Sequence, residues 1–216
     1  MTTAKEQLPR DVSHELRSPL TRIKVLLELI EPPERVAEIR SDIRELEVLI
    51  NSILESARHF HRLDNLKKEE VDQRDVVGVV ILRQGQWVDD LVLEKPAQPV
   101  IARIERNLFT RVVDNLLVNA PNHGQPAGRP VVVRVTESGG TIELTAADSG
   151  PGIRAQVLPH LVEPFYQADT SRSRENAGFG LGLNLCRTIV AAHGGVLILL
   201  SRLGQGTQQA LVRLPR

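Results

Sequence analysis

The sequence has little cysteine, few aromatic residues and no excess of charge of either sign. Its one cysteine, Cys186, excludes an internal disulfide framework and is compatible with a reducing compartment. Aromatic residues make up 3% of the 216 residues, so Leu, Val, Ile and Ala must build the core. The 27 basic residues equal the 27 acidic ones, which argues against a nucleic-acid-binding protein. Apolar residues nevertheless reach 41%, enough for one large domain or two small ones.

Long apolar runs are also missing. No stretch approaches the ~20 residues that a membrane-spanning helix needs, and residues 1–7 lack the apolar core of a signal peptide. We therefore expect this segment to be soluble and without membrane contact, although it can still be a piece of a longer membrane protein.

Two helices joined by a turn are predicted over residues 8–63. In the second helix apolar residues recur in alternating steps of three and four, which is a heptad pattern, at Val36, Ile39, Ile43, Leu46, Ile50, Ile53, Ala57 and Phe60. The first helix carries a weaker stripe at Leu16, Leu20, Ile23, Leu27 and Ile30. Two prolines in the turn Glu31–Glu34 break the helix, because proline lacks an N–H donor. A single hairpin offers too little surface to cover so regular an apolar stripe. Two hairpins could bury it between them, so we expect a homodimer with a four-helix bundle. The alternative is a hairpin packed on the rest of its own chain.

The pattern changes after this hairpin. Residues 64–74 are rich in charge and are interpreted as a linker or a boundary strand. Two strand pairs are predicted after it, Val131–Val135 with Ile142–Ala146 and Val196–Leu200 with Gln208–Leu214. Two helices are predicted at Glu105–Asn119 and Gly182–Ala192. The turns of the two hairpins are Ser138–Gly140 and Gly204–Gly206, and Val76–Gln84 fits a strand or a helix. We predict an α+β fold, with helices on one face of a sheet, and a domain division into residues 1–64 and 65–216.

A histidine on the first helix is one candidate for chemistry. His14 falls one step off the apolar stripe, on the same flank as Ser18 and Thr21. An imidazole is largely neutral at pH 7, so a ring nitrogen is free to attack an electrophile. Glu15 is placed to accept the proton of the other ring nitrogen. Taken alone, a single surface histidine usually has no such role.

Two clusters farther along the chain have the chemistry of a nucleotide site. Asn115 and Asn119 are four residues apart and share one face of a helix, and amide oxygens are ligands that Mg²⁺ accepts. Asp148 follows a strand and is suited to accept a hydrogen bond from an adenine amino group. Gly150 and Gly152 allow the backbone to approach the base closely. The structural alternatives are two surface asparagines and a plain Gly/Pro turn.

A third cluster is glycine-rich. Gly178, Gly180 and Gly182 stand at the entry to a helix, where free N–H groups and the positive end of the helix dipole favour phosphate. Their spacing matches neither the dinucleotide-binding glycine motif nor the P-loop motif. A long segment with a polar end, residues 151–177, precedes them and suggests a lid, with Glu163–Tyr166 fixing its base.

Together these strings resemble a known family. Ser13–Thr21 is similar to the H box of HisKA-type sensor histidine kinases. Four further strings resemble the N, G1, F and G2 boxes of the Bergerat-fold ATP-binding domain shared with gyrase, Hsp90 and MutL, and they are Asn115–Ala120, Asp148–Gly152, Glu163–Tyr166 and Gly178–Leu183. Gly204–Thr207 is similar to the last glycine box. The resemblance extends from Arg10 to Pro215, nearly the whole chain.

The resemblance implies a sensor histidine kinase core of a two-component system. Such a protein binds ATP and Mg²⁺, phosphorylates itself on His14 and passes the phosphoryl group to an aspartate of a response regulator. Glu15 is then the acid/base neighbour, and Ser18 stands where a Thr or Asn often positions water for phosphatase activity. The implied nucleotide-binding residues are Asn115, Asn119, His123, Asp148, Gly150, Gly152, Phe165, Gly178, Gly180, Leu181, Gly182 and Thr207. Asn119 is the implied Mg²⁺ ligand, with support from Asn115. The expected location is cytoplasmic, as part of an inner-membrane sensor.

Several positions depart from the family pattern. Pro121 should end or kink its helix early, and Asn122 is neutral where the family usually has a basic residue. Ala177 stands where a further glycine is common, and Asn184 where a small residue is usual. Two alternatives follow: a degenerate kinase that acts as a dimeric scaffold, and an ATPase of the gyrase and Hsp90 kind.

Overall fold

The computed structural model describes residues 20–21, 23–25, 27, 34–63, 66–84, 91–122, 129–168, 180–202 and 207–216. The chain divides into two compact units, Met1–Asn65 and Leu66–Arg216. The elements, in chain order, are α1 (Glu34–Leu63), β1 (Glu69–Asp72), α2 (Gln73–Gln84), β2 (Leu91–Glu94), β3 (Ile101–Ile104), α3 (Arg106–Asn122), β4 (Val131–Ser138), β5 (Thr141–Asp148), a 3₁₀ helix (Leu158–Val162), α4 (Gly182–Ala192), β6 (Val196–Arg202) and β7 (Thr207–Pro215).

The N-terminal unit contains helical backbone between residues 20 and 27 and the 30-residue helix α1. Leu20 and Leu27 form a buried cluster with Ile43 of α1. Lys24 donates a hydrogen bond to Glu47 at 2.6 Å across the same pair of helices. Both side chains of this ion pair are partly exposed, so it adds at most about 1 kcal/mol. The early helical residues therefore pack along α1 mainly through apolar contacts, as the hairpin prediction requires.

Some residues of the predicted heptad stripe of α1 are buried and others are exposed. Ile43 is buried, whereas Ile39, Leu46 and Ile53 are 46%, 46% and 40% exposed. These three residues recur every seven positions, so they lie along one line of the helix. The hairpin contacts of this unit therefore leave a row of large apolar side chains uncovered.

The C-terminal unit is built around a five-stranded sheet in the order β2-β4-β5-β7-β6. Strand β2 pairs parallel with β4, and the other neighbours pair antiparallel. In β4, Val131, Val133 and Val135 are buried and the residues between them are not, so one face of the strand lines the core. Gly139 and Gly140, between β4 and β5, have φ of +58° and +75°. This is the conformation that a two-residue type I′ hairpin turn requires.

Helices α2 and α4 each pack against α3, and all three helices contact strands of the sheet. Helix α3 contributes a wide apolar stripe that is almost fully buried, formed by Leu108, Phe109, Val112, Val113, Leu116 and Leu117. Cys186, Ile189 and Val190 of α4 complete this layer. Burial raises the pKa of the Cys186 thiol to about 12, so Cys186 packs as a small apolar side chain.

A two-stranded antiparallel sheet of β1 and β3 leads into helix α2. Asp72, the residue before α2, accepts hydrogen bonds from the N–H groups of Arg74 at 3.0 Å and Val100 at 3.2 Å. The hydrogen bond from the Arg74 side chain holds the pKa of Asp72 below its ordinary value. A carboxylate at this position caps the helix, because the first N–H groups of a helix have no partner within it.

The prediction of an α+β fold is confirmed. Both predicted strand pairs are antiparallel neighbours, and α4 has the predicted bounds. The ambiguous segment Val76–Gln84 is helical, as part of α2. Residues 69–72 of the predicted linker form strand β1, which was the alternative interpretation. The predicted turns at 31–33 and 204–206 lie outside the described residues.

The end predicted at Asn119 was too early, although the helix does end directly after Pro121. Helix α3 continues to Asn122, three residues beyond the predicted end. A proline in the last turn removes one backbone hydrogen bond and crowds one carbonyl a turn earlier, so the helix can finish that turn. In the part of the chain that the structure covers, no helix has both the length and the apolar character needed to cross a membrane.

Candidate functional site

Asn115 on α3 lies beside the start of helix α4. A Cβ atom added to Gly182 would come within 3.1 Å of Asn115 Oδ1. The two helices are packed together farther along, where Cys186 Sγ lies 3.7 Å from the carbonyl oxygen of Val112. Glycine at 182 thus leaves room for the amide oxygen of Asn115. The structure therefore brings together two of the predicted clusters, which are 67 residues apart in the chain.

The start of α4 has no side-chain cap at Leu181, the residue before the helix, and no acidic residue in its first turn. The first N–H groups of a helix have no acceptor within it and carry the positive end of the helix dipole. An 11-residue helix that begins this way, after glycines, is suited to bind phosphate.

The predicted base of the lid is held against this helix start. The N–H of Phe165 donates a hydrogen bond to the carbonyl oxygen of Gly180 at 3.2 Å. A Cβ atom on Gly180 would lie 2.5 Å from the carbonyl oxygen of Tyr166, and the φ of Gly180 is +71°. Only glycine fits this backbone approach and conformation without strain. Two of the predicted nucleotide-binding residues, Phe165 and Gly180, are therefore in direct contact.

Phe165 itself is held in a strained conformation. Its φ is +64°, and it is the non-glycine residue with positive φ among those that the structure describes. Such a conformation costs of order 1 kcal/mol and persists only where surrounding contacts impose it. Phe165 is 57% exposed, so burial of this residue does not explain the strain. The hydrogen bond to Gly180 is one contact that holds this backbone.

Asp148 ends strand β5 and is 6% exposed. Its Oδ1 accepts a hydrogen bond from the N–H of Gly150 at 2.8 Å, which fixes the turn that follows the strand. Gly152 has a φ of +79°, and the N–H of Ile153 donates to Ser201 Oγ at 2.8 Å. The predicted adenine-reading residue is therefore a rigidly placed carboxylate at the end of a central strand.

Sequence reasoning missed the side-chain contacts that hold the 3₁₀ helix in place. Asn184 Nδ2 donates to the carbonyl oxygen of Val162 at 2.9 Å. His160 Nδ1 lies 3.0 Å from Glu163 Oε1, and the His160 ring packs on the ring of Tyr166 with centroids 5.5 Å apart. These residues are 3 to 22 positions apart, and no periodic pattern in the sequence marks them. The one available signal was that Asn184 departs from the family pattern.

Several predicted site residues cannot be placed. His14, Glu15, Ser18, His123 and Gly178 lie outside the described residues, as do residues 169–177 of the predicted lid. Thr207 begins strand β7. Asn119 lies in the last turns of α3 and is half-buried.

The side chains of Asn115 and Asn119 could contribute oxygen ligands to a magnesium ion. Asn115 and Asn119 are both half-buried, and each offers one neutral amide oxygen. Within the described ranges no group of three or more His, Cys, Asp or Glu side chains is placed to hold a metal. Magnesium commonly takes few protein ligands and completes its shell with water and substrate phosphates. The residues present therefore fit an ion of this kind.

Comparison with protein families agrees with this geometry. Residues 4–62 match the model of the His Kinase A (phospho-acceptor) domain. Residues 104–216 match the model described as histidine kinase-, DNA gyrase B-, and HSP90-like ATPase. The chain belongs to the sensor histidine kinase family.

Curated sensor histidine kinases resemble this chain over most of its length. MtrB of Mycolicibacterium paratuberculosis is 33% identical over 200 residues, which is 87% of this kinase chain and 35% of that protein. TrcS of Mycobacterium tuberculosis is 34% identical over 229 residues, which is 97% of this chain and 43% of that protein. The chain thus spans less than half the length of these relatives.

Solved histidine kinases share the fold. Full-length ShkA, in complex with AMPPNP, superposes with a TM-score of 0.72 at 22% identity, over 97% of this chain and 45% of that one. The mycobacterial sensor histidine kinase MprB has a TM-score of 0.59 at 28% identity, over 68% of this chain and 97% of that one. The α+β sandwich of this histidine kinase chain is therefore that of a histidine kinase ATP-binding domain.

Proposed function

We propose that this chain is the catalytic core of a two-component sensor histidine kinase. The C-terminal unit binds ATP, and a ring nitrogen of His14 attacks the γ-phosphorus. The bond from that phosphorus to the bridging oxygen breaks, ADP leaves, and Glu15 takes the proton from the other ring nitrogen. The phosphoryl group then passes to an aspartate of a response regulator. The observation that carries the proposal is the placement of the Asn115 amide beside Gly182, at a helix start without a side-chain cap.

The nucleotide is held by three groups of residues on this account. Asp148, with Gly150 and Gly152, binds the adenine end. The backbone of Gly178, Gly180, Leu181 and Gly182 binds the phosphates, with Phe165, His123 and Thr207 at the border of the site. The support is the buried carboxylate at the end of β5 and the uncapped start of α4.

Asn119, with support from Asn115, would hold Mg²⁺. When bound, the ion neutralises phosphate charge. Asn115 keeps its amide oxygen near the start of α4, where the phosphates are expected, and Asn119 follows about one turn later on α3. Because both side chains are uncharged, the phosphates of the nucleotide would supply most of the binding energy for the ion. We therefore expect nucleotide and metal to bind together.

The division of labour follows the two units. Residues 1–64 serve as the dimerisation and histidine phosphotransfer hairpin, and residues 65–216 as the ATP-binding domain. Ser18 is proposed to position water near His14. The cytoplasmic side of the inner membrane is the proposed location, because ATP and receiver domains are found there.

A homodimer is supported by the uncovered heptad row Ile39, Leu46 and Ile53. Burying three such side chains contributes roughly 1.5–3 kcal/mol each. Leu46→Glu places a charge in this row and should shift the chain from dimer to monomer in analytical ultracentrifugation. Arg44→Glu, at an exposed position two residues away, should leave the dimer intact.

Nucleotide binding tests the site directly. Asp148→Ala should abolish ATP binding in calorimetry, whereas Glu143→Ala on the same strand should retain it. Glu143 lies in the middle of this strand, is partly exposed and pairs with Arg213 at 2.7 Å. Unchanged affinity in Asp148→Ala would show that the adenine site has been placed wrongly. Magnesium-dependent labelling of His14 tests the reaction itself.

A further inference from the structure

We propose that Asn184 is a positioning residue, which holds the phosphate-binding start of α4 against the segment Val162–Tyr166. The proposal rests on the assignment of α4 as the phosphate site. Asn184 does not contact the phosphates on this account. It acts through the backbone of Leu181 and Gly182, whose position it fixes.

The first observation is a buried hydrogen bond between two elements. Asn184 is 8% exposed, and its Nδ2 donates to the carbonyl oxygen of Val162 at 2.9 Å. Val162 is the last residue of the 3₁₀ helix, and the carbonyls at a helix end have no partner within the helix. Asn184 therefore supplies a hydrogen-bond donor to the Val162 carbonyl, which has no donor within the 3₁₀ helix. Because Asn184 lies in the first turn of α4, this bond also fixes the rotation of that turn.

The second observation is a hydrogen bond on the other side of the same turn. Gly180 precedes α4, and its carbonyl oxygen accepts from the N–H of Phe165 at 3.2 Å. Residues 180 and 184 thus bind residues 165 and 162, so Leu181 and Gly182 lie between two fixed points. We call the two hydrogen bonds the clasp.

The clasp explains two unfavourable backbone features in this region. Phe165 has positive φ, and Gly180 approaches the Tyr166 backbone so closely that a Cβ atom would not fit. Strain of this kind persists only where several contacts impose it. The same turn keeps Gly182 beside Asn115. Loosening the Asn184 bond should therefore disturb the phosphate end of the site and leave the adenine end, around Asp148, unchanged.

The resemblance indicates a small residue at the position of Asn184 in most family members. A small side chain cannot span from α4 to the Val162 carbonyl as the asparagine amide does. Asn184 therefore supports the site on this account, although it departs from the family pattern.

The test compares ATP with adenosine, which lacks the phosphates. Asn184→Ala, and the isosteric Asn184→Asp, which cannot donate to a carbonyl, are measured in calorimetry with Mg²⁺. Both should weaken ATP binding about fivefold or more, as expected for one lost buried hydrogen bond, and change adenosine binding less than about twofold. Thr188→Ala is the matched control, because Thr188 donates to the Asn184 carbonyl within α4 and not to the 3₁₀ helix. It should bind both ligands as the unchanged chain does.

Unchanged ATP affinity in the variants, or an equal loss for ATP and adenosine, would overturn the positioning role. If the unchanged chain bound adenosine but not ATP, the phosphate assignment itself would fall, and the inference with it. If both variants fail to fold, amide hydrogen exchange measured on the unchanged chain tests the proposal instead. ATP should slow exchange at the Phe165 amide more than adenosine does, and equal slowing would overturn the proposal.

Discussion

The buried imidazole of His193 joins the two helices that form the site. Its Nε2 accepts a hydrogen bond from the backbone N–H of Glu105 at 2.9 Å, just before α3. Its Nδ1 donates to the carbonyl of Ile189 at 2.7 Å, near the end of α4. An acceptor at Nε2 requires the neutral ring with its proton on Nδ1. Burial lowers the pKa of His193, and Lys68 lowers it further, while the Ile189 carbonyl and Glu105 act in the opposite direction.

This geometry predicts a loss of stability in mild acid. Above about pH 6.5, the ordinary histidine pKa, the ring is neutral in both the folded and the unfolded chain. Below it the unfolded chain binds a proton that the folded chain does not, so the free energy of unfolding falls until the lowered pKa is reached. Urea unfolding at pH 7.5 and 5.5 should show the decrease. His193→Gln should reduce it, and His160→Gln, at an exposed position, should not. Equal pH dependence in the two variants would contradict the assignment.

Gly180 should tolerate substitution much less well than another glycine with positive φ. Gly139→Ala meets no atom within 4 Å and should cost about 1 kcal/mol from its conformation alone. Gly180→Ala adds a clash with the Tyr166 carbonyl, so about 3 kcal/mol or more is expected. Thermal unfolding of both variants measures the difference. Similar melting temperatures would show that the backbone contact is not as close as described.

Asn115 and Gly182 should be energetically coupled. Gly182→Ala places a methyl group 3.1 Å from Asn115 Oδ1 and should displace that amide, which weakens ATP binding. Asn115→Ala removes the same oxygen. Because both changes act on one group, the double variant should lose less affinity than the sum of the two single losses. Full additivity in calorimetry would mean that the two residues act independently.

The ion pair of Arg83 and Asp114 should stabilise the fold, since it compensates a buried carboxylate next to Asn115. The Asp114 side chain is 9% exposed and has one further donor, Gln84 Nε2 at 3.3 Å. Arg83→Leu should therefore cost about 1–3 kcal/mol. The control is Arg134→Leu, whose partner Glu94 is 46% exposed and whose loss should cost less than about 1 kcal/mol. Equal costs in urea unfolding would contradict this difference.

Elements with a long regular pattern were predictable from the sequence. Helix α4 has a clear apolar stripe that starts at Gly182, and it has the predicted bounds. The four-residue strands β2 and β3 were missed, because so short a run shows no alternation that separates it from a loop. Helix α2 was ambiguous, since its run of valines suits a strand, and tertiary packing decided for the helix.

The candidate site was predictable in its residues and not in its contacts. Asn115, Asp148 and the glycines were found because their residue types and order resemble a known family. The bonds from Asn184 to Val162 and from Arg83 to Asp114 join residues 22 and 31 positions apart. Such pairs depend on how the helices pack, which no local pattern records.

The most direct test is phosphorylation with labelled ATP. The chain and its His14→Gln variant are incubated with γ-labelled ATP and Mg²⁺, and each product is then split between acid and alkali. The account predicts label on the unchanged chain that is lost in acid and kept in alkali, as for a phosphorus–nitrogen bond, and no label on the variant. Label of equal amount on His14→Gln, or label that survives acid, would contradict it.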